Sequence, residues 1–314
     1  MNMIKKAMAI LLSTVTVIGG AIGFTACGGG EKNITVVARE QGSGTREAFD
    51  KVVTDGTHFL EEKDADGKKV YNTTVSANIQ TKTGTVMTSV ANDANAIGYI
   101  SLGSVDQMIK VVNVEGVAPT SETVLDGSYK IQRPFVIMTN ATVTLTARAQ
   151  DFMNYLYSTE MESHSQAAGC IFLEDPARRA NEGDTAIELT EYTKLAELPA
   201  GEKIVVRGST SMEKLINEAA KGYADLYAVS ATDIFDIQLE GSSVGRKAVE
   251  DDTKDNVIGL SSAAVDQDNI NSFNVCLDAV AVIVNPANET VKNLTLKQLY
   301  DIFSGKVTKF SEME

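Results

Sequence analysis

Three times along this chain an apolar, β-branched run breaks into glycine, serine and threonine and then into an amphipathic pattern. This recurrence limits the fold more than any other feature. The first instance is Ile34-Thr35-Val36-Val37-Ala38, then Arg39-Glu40-Gln41-Gly42-Ser43-Gly44-Thr45, then a helix beginning with Arg46 to Val53. The second is Lys203 to Arg207, then Gly208-Ser209-Thr210-Ser211, then a helix from about Met212 to Ala220. The third is Phe235 to Glu240, with Phe235, Ile237 and Leu239 on one face, then Gly241-Ser242-Ser243-Val244-Gly245 and the helical Arg246 to Glu250. Strand, small-residue turn and helix together make an anion-binding geometry. Glycine lets the backbone turn sharply, and successive N–H groups converge at the positive end of a helix dipole. The hydroxyls add donors, and Arg39 can offer a planar fork to a tetrahedral oxyanion. One such junction is more often an ordinary cap; three in one chain predict a shared oxyanion pocket.

Elsewhere strand-like and helix-like segments alternate, which predicts α/β architecture with mostly parallel sheets, and the length gives room for two lobes. Thr295-Leu296-Lys297-Gln298 fits a capping box and Gly305 a helix stop. The charged turn 61–69 contains Asp64-x-Asp66-Gly67, but the remaining calcium-ligand pattern is missing.

Residues 1–26 read as a targeting segment: Lys5 and Lys6, then an apolar run from Ala7 to Ile22. Phe24-Thr25-Ala26-Cys27 resembles a lipobox, so Cys27 is the expected lipidation site and 27–32 a flexible tether; an uncleaved membrane anchor is the alternative. Removing 1–26, which carries two lysines and no acids, takes the net charge from −14 to −16. That balance argues against nucleic acid and against a polybasic grip on lipid, but not against an anion held by local donors.

Two histidines, His58 and His164, and no Cys/His ligand spacing leave a transition-metal site unsupported, and no phosphate-binding loop of the NTPase type is present. Gly259-Leu260-Ser261-Ser262-Ala263 lacks the last glycine of a nucleophile elbow, so a serine hydrolase is disfavoured. No catalytic residue, cofactor or metal is expected. Cys170 and Cys276 read as two separate thiols.

Several segments together resemble the phosphate-binding proteins of bacterial ABC importers (PstS-like), which have the class II periplasmic-binding-protein fold. They are Val36 to Phe49, Ala96 to Gly103, Gly116 to Thr120, Arg133-Pro134-Phe135, Gly208 to Ser211, Gly241-Ser242-Ser243 and Thr295 to Lys306. Their order differs from that family's: the half at about 33–172 precedes the half at about 202–314. The chain thus reads as circularly permuted, with its ends meeting and 173–201 as the connecting segment; a gene-model artefact or a piece of a tandem array would read the same.

The resemblance implies a two-lobed α/β fold with a hinge. Lobe two is 33–132 plus 284–314, lobe one is 133–283, and Lys130 to Thr139 and Val280 to Asn285 cross between them. It implies phosphate contacts at Arg39, Ser43, Gly44, Thr45, Thr210, Ser211, Ser242 and Ser262. Ser262 stands where some members carry an aspartate, so sulfate, molybdate and tungstate are alternative ligands. The implied partners are inorganic phosphate, ABC permease subunits and the membrane through the lipid, with the protein a monomer outside the cell membrane. A non-transport sensor or adhesion lipoprotein on the same fold is the alternative.

Overall fold

The computed structural model describes residues 33–181 and 184–313, so the expected signal segment and the whole 27–32 tether, Cys27 included, lie outside the described residues. The first half runs β1 (Thr35–Arg39), α1 (Gly44–Val52), a hairpin of β2 (Glu61–Lys63) and β3 (Lys69–Tyr71), β4 (Asn78–Gln80) and α2 (Thr83–Ala91). It continues through β5 (Ala96–Ser101), β6 (Lys110–Val114), α3 (Ser121–Leu125) and β7 (Gln132–Asn140). Then come α4 (Ala147–Leu156), α5 (Met161–Ala168), β8 (Ile171–Phe172) and α6 (Pro176–Arg179). The second half has β9 (Ile204–Gly208), a 3₁₀ turn at Thr210–Met212, α7 (Glu213–Leu226), α8 (Ala231–Ile234), β10 (Phe235–Leu239) and α9 (Ser242–Glu250). It ends with β11 (Val257–Ser261), β12 (Ile270–Val284), β13 (Asn293–Leu294) and α10 (Leu296–Phe303).

One curled sheet carries the order β10-β9-β11-β7-β12-β5-β1-β4, with β6 and β8 also on β12. Pairing is parallel in the outer parts, β10/β9/β11 and β5/β1/β4. In the centre β7 and β12 run antiparallel to each other and to their other neighbours. The expected parallel pairing therefore describes the two flanks, and the two long returning strands make the sheet mixed.

Period-two burial shows why both faces are covered. Along β12, Val280, Val282 and Val284 join one core with Phe49, Tyr99 and Phe303, whereas Ala281 and Ile283 pack on Val86 and Val90 of α2. Along β7, Phe135 and Ile137 join a second large core with Phe152, Tyr223 and Phe273, whereas Val136 and Met138 face Val249 of α9. Core membership changes between Ile131 and Phe135 on one strand and between Cys276 and Ala279 on the other. Two apolar bodies are thus joined through β7 and β12.

Residues 33–34 pair with 308–309: the Ile34 amide donates to the Thr308 carbonyl at 2.7 Å and Asn33 bridges Lys309. The connecting segment is anchored: Tyr192, Tyr223 and Tyr227 all donate to Asp151 Oδ2 at 2.7–2.9 Å, and Arg148 Nε donates to the Pro199 carbonyl at 2.8 Å. Cys170 and Cys276 are both free. The sequence gives no reason for them to meet, yet pairing of β8 with β12 brings the Cys170 thiol beside Cys276, and burial pushes the Cys276 thiol up. In the 61–69 turn, Asp64 Oδ1 accepts from the Asp66 and Lys68 amides, closing the hairpin. Among the described residues no helix is long and apolar enough to cross a membrane, and no group of three ligating side chains could hold a metal ion.

Candidate anion-binding site

β1 delivers Arg39 into the interior, where 2% of it is exposed. The Arg39 amide donates to Tyr99 Oη at 3.2 Å, and Tyr99 stacks on Phe49 with ring centroids 4.0 Å apart. Glu40 takes the guanidinium edge in a bidentate pair, accepting from Nε and Nη2 at 2.9 Å each. Nη1 faces Thr83 Oγ1 at 3.4 Å. The following turn needs glycine: Gly42 has φ +88°, and a Cβ there would lie 2.5 Å from Ser243 Oγ. Ser43 caps α1, accepting from the Arg46 amide at 3.4 Å. Gly44 then presses the first turn of α1 against the end of β11, because a Cβ there would lie 2.6 Å from Ser262 and 2.7 Å from Ser242 Oγ.

The other junctions converge on the same point. Thr210 and Ser211 sit on the 3₁₀ turn after β9, and Thr45 Oγ1 lies 2.9 Å from Ser211 Oγ. Ser242 opens α9 and its hydroxyl accepts from the Ser262 amide at 3.0 Å. Ser209 Oγ donates to Ser262 Oγ at 2.8 Å and accepts from the Ser211 amide at 3.3 Å, which ties the two groups of hydroxyls together. The eight residues expected from the sequence therefore occupy one buried locus. Ser43 takes part through its capping role, Thr45 meets Ser211, Gly44 and Ser242 meet Ser262, and Arg39 and Thr210 join them through Thr83.

Four participants went unread. Ser209 lies inside a recognised motif and was passed over for its neighbours. Arg46, placed only at the start of a helix by the sequence, is buried and donates from Nη1 to the Arg39 carbonyl and from Nε to Asp50, both at 2.9 Å. Burial pushes the Asp50 carboxyl up to about 6, with Arg46 offsetting part of that. Arg133 crosses from β7, pairing with Asp278 of β12 at 2.9 Å and donating to the Ser262 carbonyl at 3.3 Å; Ser101 of β5 also donates to Asp278. Thr83 opens α2, and its Oγ1 lies 3.2 Å from Thr210 Oγ1 and 3.5 Å from Ser211 Oγ. A short strand followed by Thr81-Lys82-Thr83-Gly84 would have signalled it, but β4 has three residues and too little β-branched character to stand out.

The electrostatics are local. Each of the three buried arginines at this site has an adjacent carboxylate: Arg39 with Glu40, Arg46 with Asp50, and Arg133 with Asp278. What remains for an incoming anion is a concentration of hydroxyls and helix N-termini around one guanidinium, a donor set suited to a tetrahedral oxyanion.

Comparison with known proteins gives the same direction. The PBP superfamily domain matches residues 24–160 and 193–313. The phosphate-binding protein PstS 2 of Streptococcus pneumoniae serotype 4 is 34% identical over 313 residues, covering 96% of this chain and 98% of that protein. PstS 2 of Streptococcus agalactiae serotype V is 32% identical over 284 residues, covering 89% and 87% respectively. The crystal structure of the phosphate-binding protein of a phosphate ABC transporter from Streptococcus pneumoniae superposes with a TM-score of 0.62 at 35% identity, covering 90% of this chain and 100% of that one. These alignments run nearly end to end, so the order of the two halves is shared with the relatives and is not an accident of this chain. The chain belongs to the periplasmic-binding-protein superfamily and, within it, to the phosphate-binding proteins of bacterial ABC importers.

Proposed function

We propose that this protein binds inorganic phosphate between its two lobes and delivers it, chemically unchanged, to an ABC permease. The observation that carries the reading is one buried hydroxyl network, in which Thr45 meets Ser211, Ser242 meets Ser262, Ser209 joins the two pairs, and Thr83 links Thr210 and Ser211 to the Arg39 guanidinium. Phosphate entering there exchanges its hydration shell for fixed dipoles, each charge-assisted bond contributing about 1.5–3 kcal/mol. The lobe built around β9, β10 and β11 supplies the Thr210, Ser211, Ser242 and Ser262 groups. Lobe two (33–132 plus 284–314) supplies Arg39, Ser43, Gly44 and Thr45. Neither lobe completes the shell alone, so closure about the β7–β12 crossing reports occupancy to the permease. The protein works as a monomer outside the cell membrane, held by lipid on Cys27; Cys27→Ser would then leave no lipid-labelled protein in the membrane fraction.

A second reading has a specific residue behind it. Ser262 offers a hydroxyl and no charge, so it can accept a hydrogen bond from the O–H of hydrogen phosphate without repelling a fully ionised sulfate, molybdate or tungstate. Calorimetric titration of the protein from Gly28 onward with each anion tests both. One-to-one phosphate binding, tighter than that of the other three, supports the phosphate reading. Tighter binding of any other oxyanion replaces the ligand, and no anion binding by folded protein contradicts the assignment.

A further inference from the structure

We infer that Thr83, at the start of α2, is a direct ligand group that makes a fourth donor element beside the three glycine-rich junctions; the inference rests on the phosphate reading above. Its hydroxyl touches three groups already assigned to the anion: Arg39 Nη1 at 3.4 Å, Thr210 Oγ1 at 3.2 Å and Ser211 Oγ at 3.5 Å. Its amide donates to Thr210 Oγ1 at 3.3 Å, and its side chain is buried. The N-cap before it is Lys82, which makes no side-chain capping bond, so the Thr83 amide at this end of the helix is met by the Thr210 hydroxyl in place of a local cap. Thr83 and Thr210 also line the groove walled by Lys82, Glu213, Asn217 and Glu240, so the hydroxyl cluster meets solvent beside Thr83.

Hydroxyls bonded only to one another must use lone pairs as well as protons: each contact among Thr45, Thr83, Thr210 and Ser211 makes one of them an acceptor. A tetrahedral anion accepts from all of them at once. Rotation of the Thr83 hydroxyl toward the ligand converts a weak neutral contact into a charge-assisted one and leaves Arg39 Nη1 free to follow.

The test is a double-mutant cycle read by phosphate titration of Thr83→Val, Thr210→Val and the double variant. Thr83→Ser, Thr85→Val and Arg39→Ala serve as references, and melting temperatures check folding. Thr83→Val is expected to weaken phosphate binding about 10-fold or more, with Thr83→Ser near wild type. Thr85 is exposed, with its hydroxyl bonded to the Lys82 carbonyl, so Thr85→Val should change nothing. A direct contact keeps a further loss of several-fold when Thr83→Val is added to Thr210→Val. No further loss in that background means Thr83 only positions Thr210, and overturns the inference. An unchanged Thr83→Val beside an inactive Arg39→Ala overturns this inference alone. A wild-type protein that binds no phosphate overturns the parent reading and this one with it.

Discussion

Gly44 shows how tightly the site is closed. The absent Cβ is what allows α1 to pack this closely, because a Cβ added there would lie only 2.6 Å from Ser262, in a part of the chain over two hundred residues away. Gly44→Ala should therefore weaken phosphate binding about 100-fold or more by titration, because a methyl held against backbone blocks closure rather than deleting one bond. The effect on the ligand-free melting temperature should be small by comparison. Asp50 gives a prediction of another kind. Burial raises its carboxyl to about 6 from an ordinary 3.8, so the folded state holds this proton more tightly than the unfolded chain does. Its contribution to stability is full below the unfolded value and is lost as pH rises through the folded one. Between pH 5 and 7 this amounts to about 1 kcal/mol. Denaturant unfolding of wild type and Asp50→Asn should show their difference changing by about that much, with wild type gaining at pH 5. A difference independent of pH would contradict the buried, perturbed carboxyl.

Among the elements, α10 was readable in detail. Thr295 accepts from the Gln298 amide at 3.1 Å while Gln298 Oε1 accepts from the Thr295 amide at 2.9 Å, and Gly305 follows with φ +81°. Thr295→Ala should cost about 1 kcal/mol of unfolding free energy, the usual worth of an N-cap, measured by urea denaturation. The three junctions were equally legible because each combines a β-branched run with glycine and hydroxyl residues in sequence. The junction at Thr83 was not, since Asn78-Ile79-Gln80 is too short to mark a strand and pairs with β1 only in the folded chain. Nothing in the local sequence assigns Arg46 a role beyond opening a helix; packing over Tyr71 and against Asp50 buries it at the site. The meeting of Cys170 with Cys276 depends on a two-residue strand, β8, that no local pattern announces. Local chemistry is written in short stretches of sequence, and long-range pairing is not.

For the whole molecule, the pairing of residues 33–34 with 308–309 has a physical consequence. The start of β1 and the segment after α10 are already hydrogen-bonded at Ile34 and Thr308, and the 173–201 segment crosses the surface with Gly201 exposed. A chain beginning at Gly201, running to Met313, joined by a short glycine linker to Asn33 and ending at Ala200 should fold and keep phosphate affinity within about 3-fold, because the new ends lie in exposed backbone. Failure of that chain to fold would show that the Tyr192–Asp151 anchor needs a continuous connection, and would contradict the permuted relation. The central claim, that hydroxyls and helix N-termini from two lobes close on one phosphate around Arg39, is tested most directly by a crystal structure grown with phosphate. The account predicts a single anion with Arg39, Thr45, Ser211 and Ser242 at hydrogen-bonding distances of about 2.6–3.2 Å. An anion bound elsewhere, or bound at this locus without Arg39 and the hydroxyls, would contradict it.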